Sequence, residues 1–474
     1  MQDNYKKLGK NIFSLTLGSF GSKLLTFLFV PFYTAVLSTE EYGTADLITV
    51  TVSLLFPFFS LIICEAMLRF AQEKEIDLRQ IFSIGLYIWL IGLIILLMLS
   101  PLLNFIPSLR SYSTLILIYY CIYSLNMNIG YYVRGIGEVT VYSISGIITT
   151  ICTIIFNLIF LLLFKMGVVG YIASIIISSS LSTLYMILAT QIYKNRIPIK
   201  SIDKNILKKM LSFSIPLIPN SASWWISNSS DKYILTFFEG ASANGIYSVA
   251  YKIPTIIMIV TNIFTTAWRL SAVYKFGTDA SKRFYSNVFD MYITLTVGMA
   301  SCLMLLNKPL SYVLYLKEFY EAWKFVPVLI LASVILSYSD FLGTIYTSAY
   351  KTTILFYSTL LGAISNLILN FWLIPRCGAI GAAVATLLSY VVTFVIRMIN
   401  SREILKIQYK IKEDILCILI ITVQLIVSSS NLKSEYLVSF ACLVLLIVIK
   451  KENILELMRK IIQSISNRIS RKEL

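Results

Sequence analysis

The chain of 474 residues is 57% hydrophobic and 14% charged, and apolar stretches long enough to cross a bilayer follow one another along almost its whole length. It has no His and no paired Cys spacing, which removes the usual zinc ligands and the commonest side-chain base. Its net charge of +16 lies in short loops and near the C-terminus, so we expect anionic membrane lipids and no nucleic acid as partners.

Fourteen apolar segments are predicted to form membrane-spanning helices, which makes the fold class all-α and polytopic. They lie approximately at residues 9–36, 43–68, 80–100, 113–133, 142–164, 169–192, 211–237, 245–268, 286–306, 325–347, 353–373, 379–398, 415–431 and 435–449. With the N-terminus inside, thirty of the forty Lys and Arg residues fall on inner segments and seven on outer loops. This ratio follows the positive-inside rule and predicts that both termini are cytoplasmic.

The longest polar break divides six predicted spans from the next six, and two glycine-rich motifs indicate that these halves are copies. Gly167-Val-Val-Gly170 and Gly378-Ala-Ile-Gly381 each open an even-numbered span and stand 211 residues apart. Such a duplication gives two parallel repeats, although small residues at this spacing are also common at membrane helix contacts. We therefore expect an N-terminal six-helix bundle at 1–192, a cytoplasmic basic linker at 193–210, a C-terminal six-helix bundle at 211–402, helices 13 and 14 at 403–450, and a basic amphipathic cytoplasmic tail at 451–474.

Three lysines fall inside predicted spans, namely Lys23, Lys232 and Lys252. A charge within the bilayer normally faces protein or trapped water. Lys23 lies among small residues near the middle of span one, which indicates either a helix contact or, as we favour, the wall of a wet cavity. Snorkelling from mid-span is a long reach for lysine.

The seventh predicted span is too polar to face lipid, and Pro216 and Pro219 are expected to interrupt its backbone hydrogen bonds. Its polar residues are Ser221, Ser223, Ser227, Asn228, Ser229, Ser230, Asp231 and Lys232. A water-filled lumen is the simplest explanation. Asp231 and Lys232 are adjacent and so do not share a helix face.

We interpret Asp231 as a structural partner, for Lys252 or the backbone of span eight, and Lys232 as facing the lumen; the opposite assignment stays open. Trp224 and Trp225 lie mid-span, where their faces could stack on sugar rings or pack in the core.

Three further carboxylates, Glu65, Asp290 and Asp340, are candidates for ion coupling. Glu65 and Asp290 lie close enough to the inner face to be ordinary interfacial charges. Asp340 lies deeper in span ten and is the better candidate.

Five segments resemble the polysaccharide (O-antigen and capsule) flippase family of the multidrug/oligosaccharidyl-lipid/polysaccharide (MOP) exporter superfamily. They are Val30-Pro-Phe-Tyr-Thr-Ala-Val-Leu-Ser-Thr-Glu-Glu-Tyr-Gly-Thr-Ala-Asp46, Phe213-Ser-Ile-Pro-Leu-Ile-Pro-Asn220, Ser230-Asp-Lys-Tyr-Ile-Leu235, Gly245-Ile-Tyr-Ser-Val-Ala-Tyr-Lys252 and Gly378-Ala-Ile-Gly-Ala-Ala-Val-Ala-Thr386. The resemblance implies two six-helix bundles in a V, as in MATE transporters, plus two extra helices. It also implies alternating access for undecaprenyl-diphosphate-linked oligosaccharides in the bacterial cytoplasmic membrane.

The resemblance places spans one, two, seven and eight around a central cavity, where a diphosphate needs cationic partners. Lys23, Lys232, Lys252 and Arg269 are the expected set, with an interfacial anchor as the alternative for Arg269. No catalytic residue, metal or cofactor is expected, a H⁺ or Na⁺ gradient is the expected drive, and other polysaccharide-assembly membrane proteins are possible partners.

Three other functions remain open. A multidrug or cation antiporter of the same superfamily would show acidic residues in its lumen, whereas these candidates are mostly lysines. A membrane glycosyltransferase or polymerase would need a sizeable outer loop, which the spacing of the spans leaves no room for. A scaffold without transport activity is least favoured.

Overall fold

The computed structural model describes residues 25–459 except 26, 74, 278–280, 409, 431, 433, 457 and 458, and the described residues form helices without any strand. The chain divides into two compact units, Met1–Ser248 and Val249–Leu474. The all-α fold class is thereby confirmed. The domain boundaries expected from the sequence stay a prediction, and the division at residue 248 lies well beyond the expected linker because the polar span-seven helix packs on span two.

The first unit contains nine labelled helices. They are α1 (Val30–Val36), α2 (Thr39–Ser60), α3 (Ile63–Phe70), α4 (Leu78–Leu99), α5 (Ser113–Gly135), α6 (Val139–Asn157), α7 (Gly167–Thr190), α8 (Lys204–Ser214) and α9 (Ile218–Ala250). Short helices occupy Ser100–Phe105, Pro107–Arg110, Ile192–Asn195, Ile199–Ser201 and Ile215–Leu217, and a π-helix at Leu158–Leu163 extends α6.

Helix α2 begins at a capping box and ends at a break that the sequence does not predict. The Ser38 hydroxyl accepts from the Glu41 N–H at 3.1 Å, and the Glu41 carboxylate accepts from the Ser38 N–H at 2.9 Å. Leu61 and Ile62 then both adopt left-handed backbone, with φ of 51° and 50°, which is unfavourable for residues with bulky side chains. The predicted continuous span at 43–68 is therefore wrong in one respect, because the helix is broken into α2 and α3.

The prolines of the seventh span stand at helix starts and not within a helix. Pro216 lies in the short helix Ile215–Leu217, and Pro219 is the second residue of α9. Their missing N–H groups fall where a helix has no internal acceptor for them. Helix α9 then runs without a break to Gly240, whose φ of 88° separates a first segment, 218–239, from a second, 241–250.

The second unit contains seven labelled helices. They are α10 (Lys252–Lys275), α11 (Ser281–Leu305), α12 (Asn307–Leu314), α13 (Val326–Ser348), α14 (Thr352–Ser401), α15 (Ile411–Ser428) and α16 (Glu435–Ile449), with a short 3₁₀ helix at Lys317–Lys324. Helix α14 comprises two helices that meet at Gly378, which has φ 59° and ψ −140°.

The two glycines that start the matched motifs both have positive φ. Gly167 has φ 53° and Gly378 has φ 59°, values that favour glycine at the turn into each span. The duplication itself stays a prediction.

Helices α15 and α16 are fixed to α11 and α12 by polar contacts at three points along their length. Ser301 donates to Gln424 at 2.7 Å near the middle, and at one end Lys308 pairs with Glu435. At the other end Lys450 lies 2.8 Å from Asp290. The last predicted pair of spans is thus firmly packed on the second unit.

Eight of the described helices are long and apolar enough to cross a membrane, and one of these is the 50-residue α14 with its break at Gly378. The chain is a multi-pass membrane protein. The count of fourteen spans stays a prediction, as does the tail helix, since most of residues 451–474 lies outside the described part of the chain.

Candidate functional site

Helix α2 and the second segment of α9 touch backbone to backbone at two glycines. A Cβ atom added at Gly43 would lie 1.9 Å from the Ala241 carbonyl oxygen, and one added at Gly245 would lie 1.9 Å from the Thr39 carbonyl oxygen. In each case the blocking oxygen comes from the residue four positions before the other glycine. The contact is therefore reciprocal between the two helices.

About one turn beyond these glycines, Asp46 of α2 and Ser248 of α9 meet Lys232, which lies in the first segment of α9. The Lys232 Nζ donates to Asp46 Oδ1 at 2.9 Å and lies 2.9 Å from Asp46 Oδ2. The Ser248 hydroxyl donates to Asp46 Oδ2 at 2.8 Å, and the Asn244 amide donates to the Gly43 carbonyl oxygen at 3.0 Å. The side chains of Lys232 and Asp46 are 14% and 18% exposed, so both charges are largely removed from solvent. We call Asp46, Lys232, Asn244 and Ser248 the paired-charge cluster.

Asp231 has a different partner from its neighbour. Its carboxylate accepts from the Tyr247 hydroxyl at 2.7 Å and from the Lys232 backbone N–H at 2.9 Å. Asp231 is buried and joins the two segments of α9 across the break at Gly240. Lys232 and Asp231 thus do not neutralise each other through their side chains, and the structural partner of Asp231 includes a side chain of span eight.

Several polar residues of α9 bond to their own helix. The side chains of Ser223, Asn228 and Ser230 donate to carbonyl oxygens four residues earlier, at 2.9, 2.7 and 2.7 Å. This bonding satisfies hydroxyl and amide groups without a lumen. The polarity of the span is therefore a weaker indication of a water-filled cavity than its sequence suggests.

The two adjacent tryptophans of α9 have opposite environments. Trp225 donates from Nε1 to the Val50 carbonyl oxygen at 3.0 Å, and its ring lies 5.7 Å from that of Tyr233, so it packs on α2. Trp224 is exposed on the surface of the first unit. Of the pair, Trp224 has the more exposed ring, and its contact with a sugar stays a prediction.

The remaining predicted cations belong to the second unit or lie outside the described chain. Lys252 is half-buried at the start of α10, and Arg269 is exposed near its end. Lys23 lies outside the described residues. Grouping these residues with Lys232 in one cavity stays a prediction.

Asp340 lies beside a buried arginine near the end of α14. Arg397 donates to Ser358, to the Ser339 carbonyl oxygen and to Thr359 at 3.0, 2.9 and 2.9 Å. It is only 3.7 Å from Asp340 Oδ1. The guanidinium group is thus held by neutral acceptors, and it supplies a fixed positive charge to the Asp340 carboxylate.

Asp290 belongs to a charge cluster at the ends of α11, α15 and α16. Lys450 is 2% exposed and reaches Asp290 and Asp414 at 2.8 and 3.0 Å, and Lys410 reaches the other oxygen of Asp290 at 3.0 Å. Burial lowers the pKa of Lys450, but its hydrogen bonds to the two carboxylates outweigh that effect and leave the pKa raised. Asp290 therefore has a structural partner set, while Glu65 is half-buried in α3.

Asp46 is the principal residue that the sequence interpretation missed. It lies inside the second predicted span and ends the first segment of the family resemblance, so a signal was present. A carboxylate in a membrane span needs a partner, and Lys232 was the available intramembrane cation. The pairing itself depends on the backbone contact at the two glycines, which hydropathy does not encode.

The sequence profile of a family described as polysaccharide biosynthesis protein matches residues 8–269, which include the paired-charge cluster. An uncharacterized membrane protein of Methanocaldococcus jannaschii is 23% identical over 412 residues, covering 82% of this chain and 96% of its own.

Solved structures share the fold at low identity. The lipid II flippase MurJ, in an inward closed conformation, has a TM-score of 0.68 and 16% identity, covering 94% of this chain and 99% of its own. A MOP superfamily transporter from Pyrococcus furiosus has a TM-score of 0.60 and 15% identity, covering 83% of this chain and 96% of its own.

An outward-facing multidrug resistance MATE family transporter has a TM-score of 0.59 and 15% identity, covering 83% of this chain and 95% of its own. The resemblance seen in the sequence is confirmed by these matches. This chain belongs to the polysaccharide biosynthesis protein family and has the fold of the MOP exporter superfamily.

Proposed function

We propose that this protein is a flippase that moves an undecaprenyl-diphosphate-linked oligosaccharide from the inner to the outer leaflet of a bacterial cytoplasmic membrane, for surface polysaccharide assembly. It makes no covalent bond and works by alternating access, and its termini lie in the cytoplasm. An ion gradient is the proposed drive.

The observation that carries the proposal is the largely buried Lys232 ammonium, which lies in the seventh predicted span and in the part of the chain that matches the family. A diphosphate in a low-dielectric site needs charge-assisted hydrogen bonds, and lysine supplies three donors without imposing the planar geometry of arginine. Because the Lys232 charge is balanced by Asp46, the site is neutral when empty and would be ready for an anion when the pair separates.

A multidrug or cation antiporter is less well supported by the same cluster. A carrier of organic cations would need an uncompensated carboxylate, whereas Asp46 is neutralised by Lys232 and hydrogen-bonded by Ser248. The MATE transporter that shares the fold is 15% identical, which supports the fold and not the substrate.

Deleting the gene in its host tests the proposal. We expect undecaprenyl-diphosphate-linked repeat units to accumulate in the inner leaflet while surface polysaccharide is lost, and we expect the intact gene to restore both. Normal polysaccharide with altered sensitivity to cationic drugs would instead support the antiporter.

A further inference from the structure

We infer that Asp46 is a positioning residue for transport, because it occupies the diphosphate site on Lys232 when no substrate is bound and is displaced when substrate arrives. This inference rests on the proposed function and adds to it the event that couples binding to movement of α2 away from α9.

The geometry of Asp46 is that of an internal substitute for a phosphate. Both of its carboxylate oxygens lie 2.9 Å from the Lys232 Nζ, and one also accepts from the Ser248 hydroxyl. Phosphate oxygens accept the same donors, and a diphosphate carries more negative charge than a carboxylate. An anion of that kind can therefore compete with Asp46 for the ammonium group.

Displacement of Asp46 from Lys232 leaves a carboxylate charge without its cation. Once the ammonium binds phosphate, the Asp46 carboxylate loses its cation while the pair's surroundings still exclude most solvent. An unpaired charge in such a site is strongly unfavourable. The favourable way to relieve it is for α2 to separate from α9, so that water reaches the carboxylate.

The contact that has to separate is suited to release. Next to the ion pair, α2 and the second segment of α9 meet where Gly43 and Gly245 bring the two backbones together. The Asn244 amide donates to the Gly43 carbonyl oxygen, and the Thr39 and Ser242 hydroxyls form a 2.7 Å hydrogen bond. Water can replace each of these hydrogen bonds, and no large apolar side chain is needed to close the contact at the glycines. Binding at Lys232 can therefore open this contact.

Two measurements on the purified full-length chain in lipid nanodiscs test the inference, with undecaprenyl diphosphate as the probe. The first is its dissociation constant. The second is the rate of disulfide formation between Thr39→Cys and Ser242→Cys, in a background whose native cysteines are replaced. The Thr39 and Ser242 hydroxyls are close enough that cysteines there would meet only while the contact is closed.

In the otherwise unchanged background, undecaprenyl diphosphate is expected to slow disulfide formation. Asp46→Asn removes the competitor, so we expect binding to tighten by about tenfold, as when a binding-competent state rises from about a tenth of the population to nearly all of it. We also expect the ligand's effect on disulfide formation to disappear. Asp46→Glu, which keeps the carboxylate, should retain that effect, and Glu73→Gln removes a carboxylate from an exposed pair as the control.

The results distinguish a failure of the proposed function from a failure of the role inferred for Asp46. If the unmodified chain binds no undecaprenyl diphosphate, the proposed function is wrong and this inference falls with it. If it binds, but Asp46→Asn binds no tighter or still shows slowed disulfide formation with ligand, only the inference is overturned. Should Asp46→Asn not fold, Ser248→Ala removes one hydrogen bond from the carboxylate and keeps the ion pair; it is expected to tighten binding by a smaller factor, and unchanged binding would contradict the inference.

Discussion

Replacing Gly245 with alanine tests the backbone contact that joins α2 to α9. The new Cβ would lie 1.9 Å from the Thr39 carbonyl oxygen, so one helix would have to move by about 1.5 Å to reach ordinary van der Waals distance. Overpacking of this kind costs about 1–3 kcal/mol. We therefore expect Gly245→Ala to lower the thermal-unfolding midpoint of the purified protein in detergent.

A matched glycine separates this steric effect from the general effect of alanine on a helix. Gly298 lies within α11 and an added Cβ meets no atom within 4 Å. Alanine in an open helical position removes the entropic penalty of glycine, about 0.5–1 kcal/mol. Gly298→Ala should accordingly leave the unfolding midpoint unchanged or raise it.

Because the contacts at Gly43 and Gly245 are reciprocal, alanine at either position is expected to have a similar effect. Gly43→Ala should lower the midpoint by about as much as Gly245→Ala, since each new Cβ meets a carbonyl oxygen at 1.9 Å. One displacement of the helices relieves both clashes, so the double variant should lose less than the sum of the two single losses. Fully additive losses, or a midpoint of Gly245→Ala equal to that of Gly298→Ala, would refute the proposed contact.

Two further substitutions test the buried charges of the second unit. Lys450→Met leaves three carboxylates without their buried cation and should reduce stability by about 3–5 kcal/mol, whereas Lys451→Met, at an exposed neighbour, should change the unfolding midpoint little. Because the pKa of Lys450 is raised in the folded state, its contribution to stability is present at neutral pH and is lost only as the pH rises through that raised value. Equal unfolding midpoints of Lys450→Met and Lys451→Met at neutral pH would contradict this. Arg397→Lys removes part of the hydrogen bonding to three acceptors and should reduce the stability by about 3 kcal/mol. An unfolding midpoint equal to that of the exposed variant Arg402→Lys would show that these hydrogen bonds are unimportant.

The course of the helices was largely predictable because it follows from the length and periodicity of apolar stretches. The break after α2 was not, since Leu61 and Ile62 are apolar residues that normally avoid left-handed backbone. The glycine at 378 did signal its turn, because its backbone angles are open mainly to glycine. Sequence thus predicts a break where the residue type permits it and misses one that only packing imposes.

The candidate site was predicted in part. Lys232 stood out because a lysine in a membrane span requires an explanation, but its partner Asp46 lies almost two hundred residues earlier. The same limit applies to Arg397 and Lys450, which stand at the ends of predicted spans and are buried in the fold. Pairings of this kind depend on contacts between distant helices, and a single sequence does not record them.

Reconstituted transport tests the central claim most directly. The purified protein would be placed in liposomes containing a fluorescent oligosaccharide linked to undecaprenyl diphosphate, and the fraction accessible to an external, membrane-impermeant quencher would be followed with time. The account predicts that the intact chain makes the inner-leaflet pool accessible and that Lys232→Ala, at equal reconstituted amount, does so much more slowly. Equal rates for protein-containing and protein-free liposomes would contradict the claim that this chain flips lipid-linked oligosaccharide.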